Sequence, residues 1–140
     1  MRVLLDTDVI VDVITARLPF TAEAAELLDL SEKGAFEPYI SALTPLNVFY
    51  IARKAKSSSN LRESIRELLQ AVKVCAINDA VLKDAFALPI SDYEDAVQHC
   101  CATAEGLEAI VTRNVRDYKN ATLPIFTPAE FLEKLRSQQA

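Results

Sequence analysis

The sequence lacks any long apolar run. Hydrophobic residues make up 51% of the 140 residues, yet no window approaches the roughly 20 uncharged apolar residues that a membrane span requires. Asp6 and Asp8 also interrupt the apolar N-terminal stretch that a secretory signal peptide would need. We therefore expect a cytoplasmic protein that does not associate with a membrane.

Cysteine is scarce as well, with three residues in the chain. Cys75 stands alone and Cys100 is adjacent to Cys101, so the count is odd and no C-x-x-C pair exists. Disulfide frameworks and zinc sites use even sets of cysteines or regular ligand spacings. We therefore predict that all three are structural thiols.

Basic residues are outnumbered by acidic ones, and the formal net charge is −5. Proteins that hold nucleic acid by charge alone are usually basic, because neutralising phosphates supplies much of their affinity. The charge argues against a stable nucleic-acid coat. An enzyme that meets nucleic acid briefly, through bound cations, remains compatible with it.

Short apolar segments alternate with helical patterns along the whole chain, without repeats, low-complexity tracts or an interdomain linker. This alternation predicts one domain spanning residues 1–140, of the α/β class, with helices on both faces of a parallel sheet in three α/β/α layers. The predicted strands are 2–5, 37–41, 73–77, 108–112 and 124–127. The predicted helix starts are Thr21, Thr44, the Asn60–Glu63 pair, Asp79, the Ser91–Glu94 pair and Thr127, and Gly34 and Gly106 are predicted helix ends.

Three carboxylates that are distant in sequence are predicted to meet at one edge of this sheet. Asp6 ends the first strand in "VLLDTDVIVD", Asp95 lies in the first turn of a late helix, and Asp117 follows the strand 108–112. Ligands of open α/β folds bind at the carboxyl ends of the strands. Carboxylates that cannot neutralise one another need cations, and hard oxygen ligands favour Mg²⁺ or Mn²⁺. Two such ions can activate a water and stabilise the leaving oxygen in phosphodiester hydrolysis.

Several of the polar residues also have a purely structural interpretation. Asp6 could cap the helix that follows the first strand. Asp8 and Asp12, four residues apart on that helix, are expected on a solvated face. Asp95 is harder to explain in this way, because the Ser91–Glu94 capping box is complete without it. His99, one turn beyond Asp95, could face the site, but we expect it to be a packed or exposed histidine rather than a ligand.

The sequence resembles the PIN-domain ribonucleases, a family that includes the VapC toxins of bacterial toxin–antitoxin pairs. The matching stretches are "VLLDTDVIVDVI", "YISALTPLNVFYIARK", "PISDYEDAVQHCCA", "AIVTRNVRDYKN" and "LPIFTPAEFL". They occur in the order typical of the family and span nearly the whole chain.

The resemblance implies a five-stranded parallel sheet with an acidic pocket that holds Mg²⁺ or Mn²⁺. It implies cleavage of single-stranded RNA leaving a 5′-phosphate and a homodimer, and it makes a cognate antitoxin a candidate partner. The family's first metal-binding aspartate corresponds to Asp6 and its aspartate on a late helix to Asp95. Its last acidic element corresponds to "TRNVRD", where Asn114 stands at a position that is often acidic and Asp117 supplies the nearby carboxylate. Asp6, Asp95 and Asp117 are therefore the expected catalytic and metal-binding residues.

Asn47 is the main departure from the family pattern, because many relatives carry a glutamate on this helix. An amide can orient a water or accept a metal through its carbonyl, but it brings no charge, so weaker binding of a second metal is expected. Thr7, Thr112 and Asn114 are expected to support the pocket or contact substrate. Cationic residues that could guide a phosphate backbone toward it are Arg17, Arg53, Lys54, Arg113, Arg116 and Lys119.

Three other interpretations stay open at the level of sequence. A phosphatase of the haloacid-dehalogenase type would use the first aspartate of "DTDVI" as nucleophile and the second as general acid, but Ile10 stands where that motif wants Thr or Val. A receiver domain would need a phosphoacceptor aspartate after a middle strand. A catalytically weak or inactive PIN fold that only binds nucleic acid or protein is the third possibility, and Asn47 is its main support.

Overall fold

The computed structural model describes residues 1–139, which form five strands and seven α-helices. All strand pairs are parallel and the strand order is β3-β2-β1-β4-β5. The predicted α/β class is confirmed. The strands are β1 (Arg2–Leu5), β2 (Glu37–Ser41), β3 (Lys73–Cys75), β4 (Ala109–Val111) and β5 (Ile125–Phe126). The helices are α1 (Thr7–Ile14), α2 (Thr21–Glu32), α3 (Thr44–Ala52), α4 (Ser58–Ala71), α5 (Asp79–Asp84), α6 (Tyr93–Glu105) and α7 (Pro128–Gln139).

The central strand β1 separates two apolar cores. Val3 and Leu5 face a cluster built with α1, α2, α3, α4 and α7, whereas Leu4 faces a second cluster built with α5 and α6. Successive side chains of a strand point to opposite faces, so an uninterrupted apolar strand needs cover on both sides. The predicted three-layer arrangement follows from this, and Cys75 and Cys101 pack in the second core.

All five predicted strands are present, but three are shorter than expected. β3 ends at Cys75 because its partner β2 ends at Ser41, which is paired with Cys75. Residues 76 and 77 therefore have no β2 residue with which to pair. β5 pairs with β4 only at Ile125 and Phe126.

Several predicted helix caps were wrong by one to three residues. Asp92, not Ser91, caps α6, and its Oδ1 accepts the amide proton of Asp95 at 3.0 Å. Asn78 rather than Asp79 caps α5, and Ser57 rather than Asn60 caps α4. In each case a neighbouring residue of equally good capping type holds the extended backbone that the cap requires.

Thr21 and Thr44 were also predicted caps and are instead the first helical residues of α2 and α3. The Thr44 hydroxyl lies 3.0 Å from the hydroxyl of Thr7. At the start of α7 the predicted Thr127–Glu130 exchange is confirmed, with backbone-to-side-chain bonds of 2.9 and 3.1 Å. Gly106 ends α6 in the left-handed conformation at φ 78°, as predicted.

Among residues 1–139, every helix is too short or too polar to cross a bilayer.

Candidate active site

The predicted acids line one cavity of about 300 Å³ at the carboxyl edge of the sheet. Asp6 enters it from the β1–α1 junction, Asp95 from the first turn of α6, and Asp117 from a short 3-10 helix at Val115–Tyr118 after β4. The crossovers between parallel strands place these junctions side by side, although the residues are up to 111 positions apart. The carboxylates lining the cavity are Asp6, Asp8, Asp92, Glu94, Asp95 and Asp117.

Asp6 is held by hydrogen bonds to both of its oxygens and is only 7% exposed. Its Oδ1 accepts from the Thr7 amide and from Nε2 of Gln98, each at 2.7 Å. Its Oδ2 accepts from the Thr112 hydroxyl at 2.8 Å and from the Tyr118 hydroxyl at 3.3 Å. Four donors fix the carboxylate in one orientation, so the cap predicted for α1 is present as one part of a larger network.

Gln98 is a central residue of this network that the sequence analysis missed. It is 1% exposed, and its amide nitrogen donates both to Asp6 and, at 3.2 Å, to the Tyr118 hydroxyl. Its Oε1 accepts from the Ser41 hydroxyl at 3.3 Å. The available signal was its position three residues after Asp95, which puts both side chains on one face of α6.

Asp8 is half-buried beside Asp6, not on the solvated face that the sequence suggested. Its Oδ2 accepts from the Arg113 amide at 3.1 Å and from Nδ2 of Asn114 at 3.0 Å, and it lies 3.2 Å from the Thr112 hydroxyl. Its Oδ1 is buried and finds no hydrogen-bond partner among residues 1–139. Burial, followed by repulsion from Asp6, raises the pKa of Asp8 to about 7.

Asp12 likewise contradicts the expected solvated face, since it is 1% exposed. Nε and Nη2 of Arg113 both donate to its carboxylate. The guanidinium also lies 4.0 Å from the ring centroid of Phe20. Arg113 was predicted as a candidate surface cation for substrate, but its side chain is mostly buried and is engaged in this ion pair. The prediction failed because the partner of Asp12 lies 101 residues further along the chain.

Asp95 has a different environment from Asp6, because it is half-buried among other acids. Burial and then the charges of Asp6, Asp92, Asp117 and Glu94 raise its pKa to about 7. The pKa of Glu94 is raised too, by burial and by Asp6 and Asp92. The cavity therefore holds more negative charge than its own residues neutralise.

The predicted supporting residues take up separate positions. Thr7 contributes its amide to Asp6, while Thr112 donates to Asp6 or Asp8 and accepts from the amide of Asn114 at 3.1 Å. Asn47 on α3 does not line the cavity directly; its Nδ2 donates to Oε1 of Glu94 at 3.0 Å. Asn47 therefore positions a carboxylate at the cavity wall.

His99 faces away from the cavity and packs against the chain before β5. It is 1% exposed, and its Nε2 accepts from the amides of Thr122 at 3.1 Å and Leu123 at 3.3 Å. Burial lowers its pKa, which is consistent with a neutral ring that accepts at Nε2. The interpretation as a packed histidine is confirmed.

Within residues 1–139, no three His, Cys, Asp or Glu side chains are arranged as a ready-made metal site. The chemistry of the cavity nevertheless fits a divalent cation. Its ligands are oxygens, the buried Oδ1 of Asp8 lacks a partner among the described residues, and burial followed by repulsion between neighbouring acids raises the pKa values of Asp8 and Asp95. Hard cations such as Mg²⁺ and Mn²⁺ suit such ligands.

Comparison with known proteins gives the same fold. Residues 2–116 match the sequence model of a family described as PIN domain. VapBC2 from Rickettsia felis, solved bound to a DNA fragment from its promoter, superposes with a TM-score of 0.71 at 18% identity, covering 91% of this chain and 98% of that one. A toxin–antitoxin complex from Klebsiella pneumoniae superposes with a TM-score of 0.67 at 25% identity, covering 90% and 97%.

A third similar structure is Mycobacterium tuberculosis VapC20, described as a toxin that cleaves the sarcin-ricin loop. It superposes with a TM-score of 0.63 at 12% identity and covers 77% of this chain and 86% of that chain. At 12% and 18% identity these likenesses establish the fold alone. No curated protein is significantly similar to the chain in sequence.

Proposed function

This chain belongs to the PIN domain family, and from that premise we propose that it is a metal-dependent ribonuclease that hydrolyses phosphodiester bonds of single-stranded RNA. The observation that carries the proposal is the meeting of Asp6, Asp95 and Asp117 in one cavity at the carboxyl edge of the sheet. Structural capping accounts for only one of the four hydrogen bonds that Asp6 accepts.

In this proposal Asp6, Asp95 and Asp117 hold Mg²⁺ or Mn²⁺. When bound, the ion would supply a Lewis acid for the phosphate and lower the pKa of a water. Gln98, Thr112 and Tyr118 keep the Asp6 carboxylate in one orientation, which is the usual contribution of residues behind a metal ligand. Arg17 lies at the cavity wall and supplies a positive charge for a phosphate.

The fourth acid that many relatives carry on α3 is replaced here by the pair Asn47–Glu94. We propose that Glu94, held by the Asn47 amide at 3.0 Å, places its negative charge at the cavity wall instead. A catalytically inactive PIN fold remains the second candidate, because Asn47 itself carries no charge. The phosphatase and receiver alternatives do not fit membership of the PIN family.

We propose a cognate antitoxin as the protein partner, since similar structures include VapBC2 and a toxin–antitoxin complex. A homodimer is implied by the resemblance to the PIN-domain ribonucleases and stays a prediction, as do the cytoplasmic location and the single domain expected from the sequence.

The test is cleavage of a single-stranded RNA by the purified chain in Mn²⁺ or Mg²⁺ and in EDTA. We expect activity only with the metal. Asp6→Asn and Asp95→Asn should each lower it by more than about 100-fold, because even the residues behind a metal ligand cost about 10- to 100-fold when lost. Glu23→Gln, an exposed acid in the first turn of α2, is the matched control and should retain full activity.

Cleavage that persists in EDTA, or in Asp6→Asn, would refute metal dependence through these residues. Absence of cleavage by the unaltered chain in both metals would favour the inactive binding module. Hydrolysis of a simple phosphomonoester without cleavage of RNA would favour the phosphatase interpretation.

A further inference from the structure

Two aromatic rings stack on each other at the surface instead of joining either core. The ring centroids of Phe86 and Tyr93 are 4.6 Å apart with an interplanar angle of 22°. Phe86 is 76% exposed and Tyr93 is 43% exposed. Large apolar rings gain free energy by burial, so a ring left this open contributes little to folding.

The stack is held firmly from behind. The Tyr93 hydroxyl donates to the carbonyl of Leu82 at 2.7 Å, which ties the first residue of α6 to α5. Phe86 is the middle residue of a 3-10 helix at Ala85–Ala87, and Ala85 is anchored in the second core at 2% exposure. Tyr93 covers one face of the Phe86 ring. Because Phe86 is 76% exposed, the opposite face of its ring is largely open to solvent.

The stack is connected to the acidic cavity through the first turn of α6. Tyr93 lies between Asp92 and Glu94, both of which line the cavity wall. Nδ2 of Asn120 donates to the carbonyl of Pro89 at 3.2 Å, which joins the loop before α6 to the segment that follows Asp117. The backbone that carries the stack is therefore continuous with the cavity wall.

The patch is too small to be a protein interface by itself. Even complete burial of two aromatic side chains covers about 300–500 Å², whereas a stable protein–protein contact buries roughly 800 Å² per partner. One nucleobase matches the area of one open ring. Stacking of a base on an aromatic ring tolerates any sequence, because every base has a π-face.

We propose that Phe86, backed by Tyr93, is a stacking platform for an unpaired base of the RNA whose backbone enters the acidic cavity. This inference rests on the proposed ribonuclease function. It also supplies a reason to prefer single strands, because the faces of paired bases are already covered by their neighbours in a duplex. Phe86 is then a binding residue outside the metal cluster.

The experiment measures the Kd of a fluorescein-labelled oligoadenylate by anisotropy, in an Asp95→Asn background that prevents cleavage. A matched abasic oligoribonucleotide is the second probe. Phe86→Ala should weaken binding of the oligoadenylate by about 5- to 150-fold, the range for losing one stacked base. Phe86→Trp should retain or improve it, and Phe86→Leu should lose most of it although the position stays apolar. None of these changes should weaken binding of the abasic probe.

Tyr50→Ala is the control, since Tyr50 is another exposed aromatic residue, at 63%, on α3. It should leave both Kd values within about twofold. Equal losses for both probes, or unchanged binding after Phe86→Ala, would overturn the platform. A shift in oligomeric state with unchanged Kd would assign the stack to a protein contact and equally overturn it. Failure of the proposed function is seen separately, as absence of metal-dependent cleavage by the unaltered chain.

Discussion

The amino and carboxyl edges of the sheet differ in how their charged side chains are paired. At the amino edge three charged residues at strand starts pair with opposite charges: Arg2 contacts Glu105 at 3.3 Å and Glu37 at 3.9 Å, and Lys73 donates to Glu37 at 2.8 Å. At the carboxyl edge six carboxylates line one cavity, and of the two arginines that share its wall, Arg113 is already bound to Asp12.

The pKa values of carboxylates at the two edges shift in opposite directions. The hydrogen bond from Lys73 lowers the pKa of Glu37, so folding favours its charged form. Burial and neighbouring acids raise the pKa of Asp95 to about 7, so folding disfavours its charged form. At the amino edge Arg2, Glu37 and Lys73 neutralise one another, whereas the acids of the carboxyl edge outnumber the arginines beside them, an imbalance that a divalent cation can relieve. The imbalance supports the proposed active site at the carboxyl edge more strongly than any single residue does.

The largest expected effect on stability comes from breaking the buried ion pair between Arg113 and Asp12 at the carboxyl edge. Arg113→Ala should lower the free energy of unfolding by about 3–5 kcal/mol, because it leaves the carboxylate of Asp12 buried without its partner. Urea denaturation measures it. The matched change at the amino edge, Lys73→Ala, breaks an exposed pair and should leave the free energy unchanged within error. Equal losses at the two edges would contradict the comparison.

A smaller effect is expected from Gln98, which carries no charge but orients Asp6. Gln98→Leu keeps a similar volume and removes the donor to Asp6 and the acceptor of the Ser41 hydroxyl. It should cost about 1–3 kcal/mol of stability and about 10- to 100-fold in metal-dependent cleavage or in Mn²⁺ affinity by calorimetry. Gln138→Leu, at an exposed position of α7, is the control. Lost stability with unchanged Mn²⁺ affinity would make Gln98 a structural residue only.

The sequence was sufficient to predict the fold and the meeting of three acids at one edge of the sheet, whereas the metal-binding role of these acids stays a prediction. Apolar runs predicted all five strands, and the carboxyl-edge rule brought Asp6, Asp95 and Asp117 together. The residues behind them were missed for a physical reason: Gln98 and Tyr118 meet Asp6 across 92 and 112 positions, which no local pattern encodes. The exposure of Asp12 was predicted from its position on the helix alone. That prediction was wrong, because Asp12 is 1% exposed.

The raised pKa of Asp95 has a definite consequence for stability. Its value is about 7 in the folded chain and 3.8 in the unfolded reference. Between these two values the folded chain holds a proton that the unfolded chain has released, so the unfolded state binds fewer protons and the free energy of unfolding falls as pH rises. The contribution of this group is fully present below pH 3.8 and is lost by the time the pH passes about 7.

Asp95→Asn, which imitates the protonated form, should remove this loss. In EDTA we expect wild type and variant to be equally stable near pH 4 and the variant to be more stable above about pH 7, by about 1–2 kcal/mol once solvent screening of this half-buried group is allowed for. Urea denaturation of both proteins across the pH range measures the difference between their free energies of unfolding. Groups that titrate alike in the two proteins cancel in that difference. Glu23→Gln, at an exposed position of α2, is the control. A variant less stable than wild type at every pH would show that the Asp95 carboxylate stabilises the fold, and would contradict the expected penalty for its charged form.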